Sequence, residues 1–140
     1  YQCDITNNDD IAALIQSVEK DFGKIDIAVN CAGYEQSTPI AELTPEKLVA
    51  MQAVQFTGAI YCMQHFGNSM AASGGGAFLS ISSQTAHSPA VGLAAYGSSK
   101  AGVEYATKIA AVEYGPKGVR LGSRKRMPFC APRGSPLLSS

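Results

Sequence analysis

The pattern of apolar and polar positions predicts a helix near the start of the chain. Apolar residues recur at helical spacing at Ile11, Leu14, Ile15, Val18 and Phe22. Thr6 or Asn7 can cap the first turn of this helix, and Gly23 can end it. The preceding segment, "YQCDIT", has the pattern that we expect at the end of a strand.

Two more helical regions follow, separated by short apolar runs. The second region is predicted from Pro45, with Thr44 as its cap, to about Ala72, with a break near Gly58. The third covers "GLAAYGSSKAGVEYATKIAAVEYG". Between the helices, "KIDIAVNCAG" and "AFLSIS" are typical of strands buried on both faces of a parallel sheet, and "GVRL" can begin one more strand.

Strands that alternate with helices of this length predict an α/β fold with a parallel, doubly wound sheet. Helices would then cover both faces of the sheet. In such sheets, ligands bind beyond the carboxyl ends of the strands. The residues predicted at this edge are Asp4, Asn30 to Gly33, Ser82 and Ser83.

Charge changes this picture at the C-terminus. Residues 1–119 contain six lysines, no arginine and all eleven acidic residues, whereas residues 120–140 contain five basic residues and no acid. We therefore expect one folded domain over residues 1–120 and an irregular tail, rich in proline and arginine, over residues 121–140. A reading-frame error near residue 121 is one hypothesis for this tail, and translating the nucleotide sequence in all frames tests it.

Cysteine and histidine usage excludes several classes of protein. The four cysteines form no Cys-x-x-Cys pair and there are only two histidines, so neither a metal site nor a disulfide framework is predicted. We expect a reducing, cytoplasmic location. No apolar run approaches the roughly 18 residues of a membrane span, and the polar start does not look like a signal peptide. Neither a membrane nor nucleic acid is an expected partner.

Candidate chemistry is concentrated in "SSQTAHSPAVGLAAYGSSK". Tyr96 and Lys100 are four residues apart and share one helix face, and Ser83 lies thirteen residues before Tyr96. A phenol has an ordinary pKa of about 10, and a neighbouring ammonium favours its phenolate. Such a phenol can exchange a proton with an alcohol or ketone oxygen, to which Ser83 would donate a hydrogen bond. No side chain transfers hydride, so a nicotinamide cofactor is implied.

A Tyr-x-x-x-Lys pair alone is weak evidence, but four motifs in order resemble the short-chain dehydrogenase/reductase family, in its compact single-domain branch. "CDIT" is similar to the family's Asp-Val-Thr stretch, and "NCAG" is similar to its Asn-Asn-Ala-Gly motif. "ISS" and "YGSSK" are similar to the segments that carry its catalytic serine, tyrosine and lysine. The resemblance covers about residues 1 to 120.

The resemblance implies an oxidoreductase that uses NAD or NADP to interconvert a secondary alcohol and a ketone, with Tyr96 as general acid/base beside Ser83 and Lys100. The positions that it implies for cofactor contacts are Asp4, Ile5, Asn30, Ala32, Gly33, Tyr96 and Lys100. Gln84 and His87, in the loop between Ser83 and Tyr96, are candidate substrate contacts. A homodimer or homotetramer is implied for an intact version, because the family pairs the helices equivalent to residues 55–72 and 94–114 between subunits.

The chain departs from the family pattern in three places. The glycine-rich phosphate turn is absent, so the choice between NAD and NADP stays open. Gln55 stands where the family usually has an asparagine that distorts a helix and positions a water for proton relay through its backbone carbonyl. Glutamine keeps the carbonyl but alters the helix, which leaves the relay open. The basic tail replaces a strand and a Pro-Gly loop that covers the cofactor.

These departures predict a central fragment of a Rossmann-like domain that lacks the N-terminal glycine-rich unit and the C-terminal strands. An inactive fragment or pseudoenzyme of the same family is therefore an alternative to an active oxidoreductase. A nucleotide-sugar epimerase or dehydratase, which also uses Tyr-x-x-x-Lys, is a second alternative. "NCAG" and the short spacing between the motifs argue against this second alternative.

Overall fold

A computed structural model describes residues 1–126 of the chain and shows a three-stranded parallel sheet flanked by helices. The strands lie in the order β1–β2–β3, at Ile27–Asn30, Gly76–Ser83 and Val119–Arg126. In the register of the sheet, Asn30 lies opposite Ser80, and Ser83 lies opposite Arg126. The carboxyl ends of the strands therefore meet at one edge, as the sequence predicts.

Within residues 1–126, four helices occupy the three predicted helical regions, because the second region is divided in two near Gly58 as expected. They are α1 at Asn8–Phe22, α2 at Pro45–Gln52, α3 at Ala59–Ala72 and α4 at Ala94–Tyr114. A single π-helical turn at Ala53–Gly58 joins α2 to α3. Short 3-10 turns lie at Ile40–Glu42, Gln84–Ala86 and Gly115–Lys117.

The first two helices begin at the predicted caps. The Asn7 side chain accepts a hydrogen bond from the Asp9 N–H at 3.0 Å, which satisfies one of the free donors of the first turn of α1. The Thr44 hydroxyl accepts from the Lys47 N–H at 3.4 Å, and Pro45 occupies the first position of α2. Local sequence thus sets where each helix starts.

The core lies between the sheet and helices α1, α3 and α4. Met70 and Ile11 are fully buried, and Phe78 of β2 is 2% exposed. The remaining buried members of this core are Ile15, Ile25, Ala59, Cys62, Met63, Val103, Ala110 and Val119. Burial of these side chains fixes β2 and α4, the two elements that carry the predicted catalytic residues.

The prediction that "KIDIAVNCAG" forms a strand buried on both faces is wrong. Ile27 is 72% exposed and Val29 is 54% exposed. β1 is the edge of the sheet that residues 1–126 form, so neither a further strand nor a helix covers these side chains. The predicted strand end at residues 1–6, "YQCDIT", is also not formed, because no neighbouring strand within residues 1–126 offers it a ladder of hydrogen bonds.

The third strand runs past the predicted domain boundary at residue 120. β3 continues to Arg126 because β2 extends to Ser83 and offers backbone partners along its whole length, whatever the side chains are. The rest of the predicted tail, residues 127–140, lies outside the described residues. No helix within residues 1–126 is both long enough and apolar enough to cross a membrane.

Candidate active site

A polar cavity of about 150 Å³ opens at the carboxyl ends of β1 and β2. The turn after β1, the π-helical turn, the end of β2 and the start of α4 form its walls. The residues that line it are Cys31, Ala32, Gly33, Tyr34, Glu35, Gln55, Ile81, Ser82, Tyr96 and Lys100. The structure therefore brings together five of the predicted site residues: Ala32, Gly33, Gln55, Tyr96 and Lys100.

Lys100 is held in place by its surroundings. Its side chain is buried, and Nζ donates a hydrogen bond to the Ile81 carbonyl at 3.0 Å. Nζ also lies 5.7 Å from the centre of the Tyr96 ring. Burial lowers the pKa of Lys100, and the charge of a Cys31 thiolate would partly oppose this. The position of the lysine is thus tied to β2, while its ring contact keeps it beside the phenol.

Gln55 closes the cavity beneath the turn after β1. It is 1% exposed, and its Nε2 donates to the Tyr34 carbonyl. A Cβ at position 33 would lie 2.6 Å from Gln55 Oε1, so only glycine lets the turn approach this closely. Among residues 1–126, Oε1 has no hydrogen-bond partner. The cavity therefore presents a buried acceptor that needs a donor.

The helix around Gln55 is distorted. The chain takes a π-helical turn from Ala53 to Gly58 between two regular helices. The distortion that the family resemblance attributes to asparagine therefore occurs here with glutamine. The water relay itself stays a prediction.

Ser82 and Ser83 point in opposite directions because side chains alternate along a strand. Ser82 lines the cavity, but its hydroxyl donates to Glu104 Oε1 at 2.7 Å. Ser83 does not line the cavity; its oxygen accepts from the Thr85 N–H at 3.3 Å and from the Thr85 hydroxyl at 2.9 Å. Both of these hydrogen bonds join Ser83 to Thr85, the second residue of the turn that follows.

Three predicted cofactor contacts lie outside this cavity. The Asp4 carboxylate accepts from the N–H and the hydroxyl of Thr6, which lowers the pKa of Asp4. Asp4 lines a separate surface cavity of about 390 Å³. The Ile5 backbone packs against Gly58, the last residue of the π-helical turn, where a Cβ would lie 2.8 Å from the Ile5 carbonyl oxygen. The Asn30 side chain accepts from the Ala32 N–H at 3.1 Å and so shapes the turn that carries Ala32.

The two predicted substrate contacts, Gln84 and His87, are exposed and do not line the cavity. His87 instead pairs with Glu104, at 2.6 Å between Nε2 and Oε2. Sequence reasoning missed Glu104, although its position four residues after Lys100 places both on one side of α4. Within the described residues, no group of three or more His, Cys, Asp or Glu side chains could hold a metal ion.

Comparison with known proteins identifies the family of the chain. A family model described as "Enoyl-(Acyl carrier protein) reductase" matches residues 1–123. The chain belongs to the short-chain dehydrogenase/reductase family. Its Rossmann-like fold is accordingly the one expected of that family.

Individual members of the short-chain dehydrogenase/reductase family resemble the chain over most of its length. D-threitol dehydrogenase of Mycolicibacterium smegmatis is 33% identical over 88% of this chain and 47% of its own length. Cis-4-hydroxycyclohexanecarboxylate dehydrogenase of Sinomonas cyclohexanicum is 32% identical over 86% of this chain and 49% of its own. A crystal structure of NAD⁺-bound xylitol dehydrogenase superposes with a TM-score of 0.84, at 27% identity, over 88% of this chain and 48% of that one.

The chain spans about half the length of the curated relatives that it matches. The matched half contains the turn after β1, Ser83, Tyr96 and Lys100.

Proposed function

We propose that the chain forms the catalytic part of an oxidoreductase that uses NAD or NADP to interconvert a secondary alcohol and a ketone. One observation carries this proposal: Tyr96 and Lys100 line the same cavity as the Ala32–Gly33 turn, at the carboxyl ends of the strands. Open α/β sheets bind nucleotide ligands at this edge. The names of the relatives, which are dehydrogenases of small alcohols, support the same reaction class.

The residues of the cavity fit the nicotinamide end of such a cofactor. Lys100 offers an ammonium to ribose hydroxyls, and Gln55 Oε1 is a buried acceptor without a donor among residues 1–126. Ala32 and Gly33 are small enough to leave the backbone of their turn accessible. When bound, the cofactor would supply or accept the hydride.

The side chains of the site account for the accompanying proton transfer. The Tyr96 phenol would give a proton to the oxygen of a ketone, or take one from an alcohol. The Lys100 ammonium, fixed by the Ile81 carbonyl, lies 5.7 Å from the centre of the Tyr96 ring and so places a positive charge beside the phenol. Ser83 would donate a hydrogen bond to the reacting oxygen, because the hydrogen bond that it accepts from the Thr85 N–H holds its hydroxyl oxygen without using its hydrogen. Ser82 is less suited, since Glu104 already takes its hydrogen.

The substrate class that we propose is a small polyol or a cyclic secondary alcohol. D-threitol, xylitol and hydroxycyclohexanecarboxylate are named in relatives of the chain, and each carries a secondary hydroxyl. Following NADH or NADPH absorbance with these three compounds would test the class.

The Tyr96→Phe variant tests the proposed chemistry. It keeps the ring and its contact with Lys100 but removes the hydroxyl, so we expect oxidoreductase activity to fall by about 10²- to 10⁴-fold while cofactor binding persists. Tyr105→Phe is the matched control, because Tyr105 lies on the same helix and is 67% exposed. Equal activity in wild type and Tyr96→Phe would contradict the role assigned to the phenol.

An inert fragment or pseudoenzyme is the competing proposal, and the exposed edge of the sheet favours it. Ile27 and Val29 of β1 are exposed, and apolar side chains between α1 and β1 line an open cavity of about 340 Å³. Exposed edges of this kind favour association with other chains. A wild-type chain that binds neither NADH nor NADPH would support the inert reading.

We also propose that the chain forms a homodimer or homotetramer through α4. Tyr105, Ile109 and Val112 are exposed apolar residues at helical spacing on one face of α4. Sedimentation velocity should detect a species of at least twice the chain mass, and Ile109→Lys should shift it towards the monomer. A wild-type chain that sediments only as a monomer at high concentration would contradict this.

A further inference from the structure

A buried carboxylate behind the cavity joins three separate segments of the chain. Glu104 of α4 accepts the Ser82 hydroxyl at 2.7 Å through Oε1 and pairs with His87 Nε2 at 2.6 Å through Oε2. Ser82 belongs to the end of β2, and His87 belongs to the loop that follows it. A single side chain thus connects strand, loop and helix.

Burial makes these contacts costly to break. Glu104 is 9% exposed and Ser82 is 2% exposed, so neither can exchange its partner freely for bulk water. A buried carboxylate is stable only while its oxygens keep hydrogen-bond or charged partners. Ser82, Glu104 and His87 thus form one hydrogen-bonded network. The His87 side chain is half exposed, so it is the end of this network that faces solvent.

The contacts of Glu104 with Ser82 and His87 bracket Ser83. Ser82 directly precedes it, and His87 follows four residues later. Between them the loop is compact: the N–H groups of His87 and Ser88 both donate to the Gln84 carbonyl at 3.0 Å. A shift of His87 would therefore move the turn that holds the Ser83 hydroxyl.

The same loop rests directly on α4 beside Tyr96. A Cβ at position 97 would lie 2.9 Å from the Thr85 carbonyl oxygen, so the turn and the helix touch there. On the other side of Ser82, the Lys100 ammonium holds the Ile81 carbonyl. Lys100 and Glu104, one helical turn apart, thus tie neighbouring residues of β2 to α4.

We propose that Glu104 is a positioning residue: through Ser82 and His87 it sets where the Ser83 hydroxyl lies relative to Tyr96. This proposal rests on the proposed function, in which Ser83 and Tyr96 act on the same oxygen. A displacement of about 1 Å at a reacting group can cost about 100-fold in rate. Loss of the network should therefore lower kcat more than it weakens cofactor binding.

Four variants of the full chain test this role: Glu104→Ala, Glu104→Gln, His87→Ala and the double variant Glu104→Ala/His87→Ala. We expect Glu104→Ala to lower kcat by about 10- to 100-fold with cofactor affinity unchanged within about threefold. Glu104→Gln, which keeps the shape and an acceptor for Ser82, should recover part of this loss. His87→Ala should lower kcat by less, and the double variant should be no worse than Glu104→Ala, because coupled residues are not additive.

His65→Ala is the matched control. His65 is the other histidine of the chain, and its Nε2 lies 2.9 Å from Asn8 Oδ1, away from the cavity. We expect its kcat to equal that of the wild type. Because a destabilised variant would also lose activity, each rate is divided by the folded fraction measured by circular dichroism.

A readout without catalysis tests the network itself. With two histidines in the chain, the imidazole signals in an NMR spectrum can be assigned by comparing the His65→Ala and His87→Ala variants. In Glu104→Gln, the His87 signals should shift while those of His65 stay in place. Unmoved His87 signals would overturn the contact on which the proposal is built.

The outcomes separate the two proposals. An inactive wild-type chain that also fails to bind cofactor overturns the proposed function. An active wild type whose kcat is unchanged in folded Glu104→Ala overturns the positioning role alone. A rise in KM with kcat unchanged overturns it as well, since that result would assign Glu104 to substrate binding.

Discussion

The region around β2 and α4 differs from the β1 edge of the sheet in which side chains are buried. Around β2 and α4, polar side chains are buried in pairs: Lys100 binds the Ile81 carbonyl, and Ser82 binds Glu104. Along β1, apolar side chains are exposed instead, with Ile27 at 72% and Val29 at 54%. Two parallel strands that lie side by side thus have opposite surroundings.

This difference shows where the chain can hold a reacting group still. Buried polar pairs have few alternative positions, because any other arrangement leaves a donor or acceptor unpaired. The β2–α4 side therefore has the rigidity that catalysis needs. The β1 edge has no such constraint and is suited to contact with further polypeptide.

The largest effect that we expect is a loss of folding stability when a cavity is made in the core beside β2. Met70 is fully buried and packs against Gly76 at the start of β2, so Met70→Ala should lower the free energy of unfolding by about 2–5 kcal/mol. At the β1 edge, Val29→Thr keeps the branched shape at an exposed position. This variant should change the free energy of unfolding by less than about 0.5 kcal/mol. Urea unfolding of both variants measures the difference. Similar losses in the two variants would show that the edge is covered in solution.

The sequence predicted the elements better than their surroundings. Asn7, Thr44 and Pro45 mark helix starts through local hydrogen bonds and a fixed backbone angle, so α1 and α2 begin where their caps predict. The exposure of β1 depends on which other segments lie beside it, and no local pattern reports that. The length of β3 likewise depends on its pairing with β2 rather than on its own basic side chains.

A second prediction concerns Cys62, which is 4% exposed between the core and the open cavity beside β1. Burial raises the pKa of its thiol from 9.0 to about 12. The folded chain therefore keeps this proton between pH 9 and 12 while the unfolded chain loses it. The free energy of unfolding should consequently fall as the pH rises through this window, by up to about 1.4 kcal/mol per pH unit from this group.

Comparison with Cys62→Ala isolates this contribution. The variant should be less stable at pH 7 because it leaves a small cavity, but its stability should depend less steeply on pH above 9. Identical slopes for wild type and variant would show that water reaches Cys62 from the open cavity.

The site was predictable where a single element carries it. Tyr96 and Lys100 share a face of α4 because four residues make about one helical turn, and both line the cavity. Ser82 and Ser83 have different surroundings because of the way β2 packs against α4. The spacing of the motifs along the sequence does not predict this packing. The sequence did not predict the role of Glu104 for the same reason. Its partners Ser82, in a strand, and His87, in a loop, precede it by 22 and 17 residues.

The most direct test of the account is a fluorescence titration of the full chain with NADH and NADPH, using Lys100→Met and Lys108→Met as a matched pair. Lys108 is exposed on the same helix, whereas Lys100 lies in the cavity. We expect saturable binding of one of the two cofactors by wild type and Lys108→Met, and at least about tenfold weaker binding by Lys100→Met, since a hydrogen bond from a charged group contributes about 1.5–3 kcal/mol. Absence of saturable binding of either cofactor by the wild type, or unchanged affinity in Lys100→Met, would contradict the assignment of this cavity.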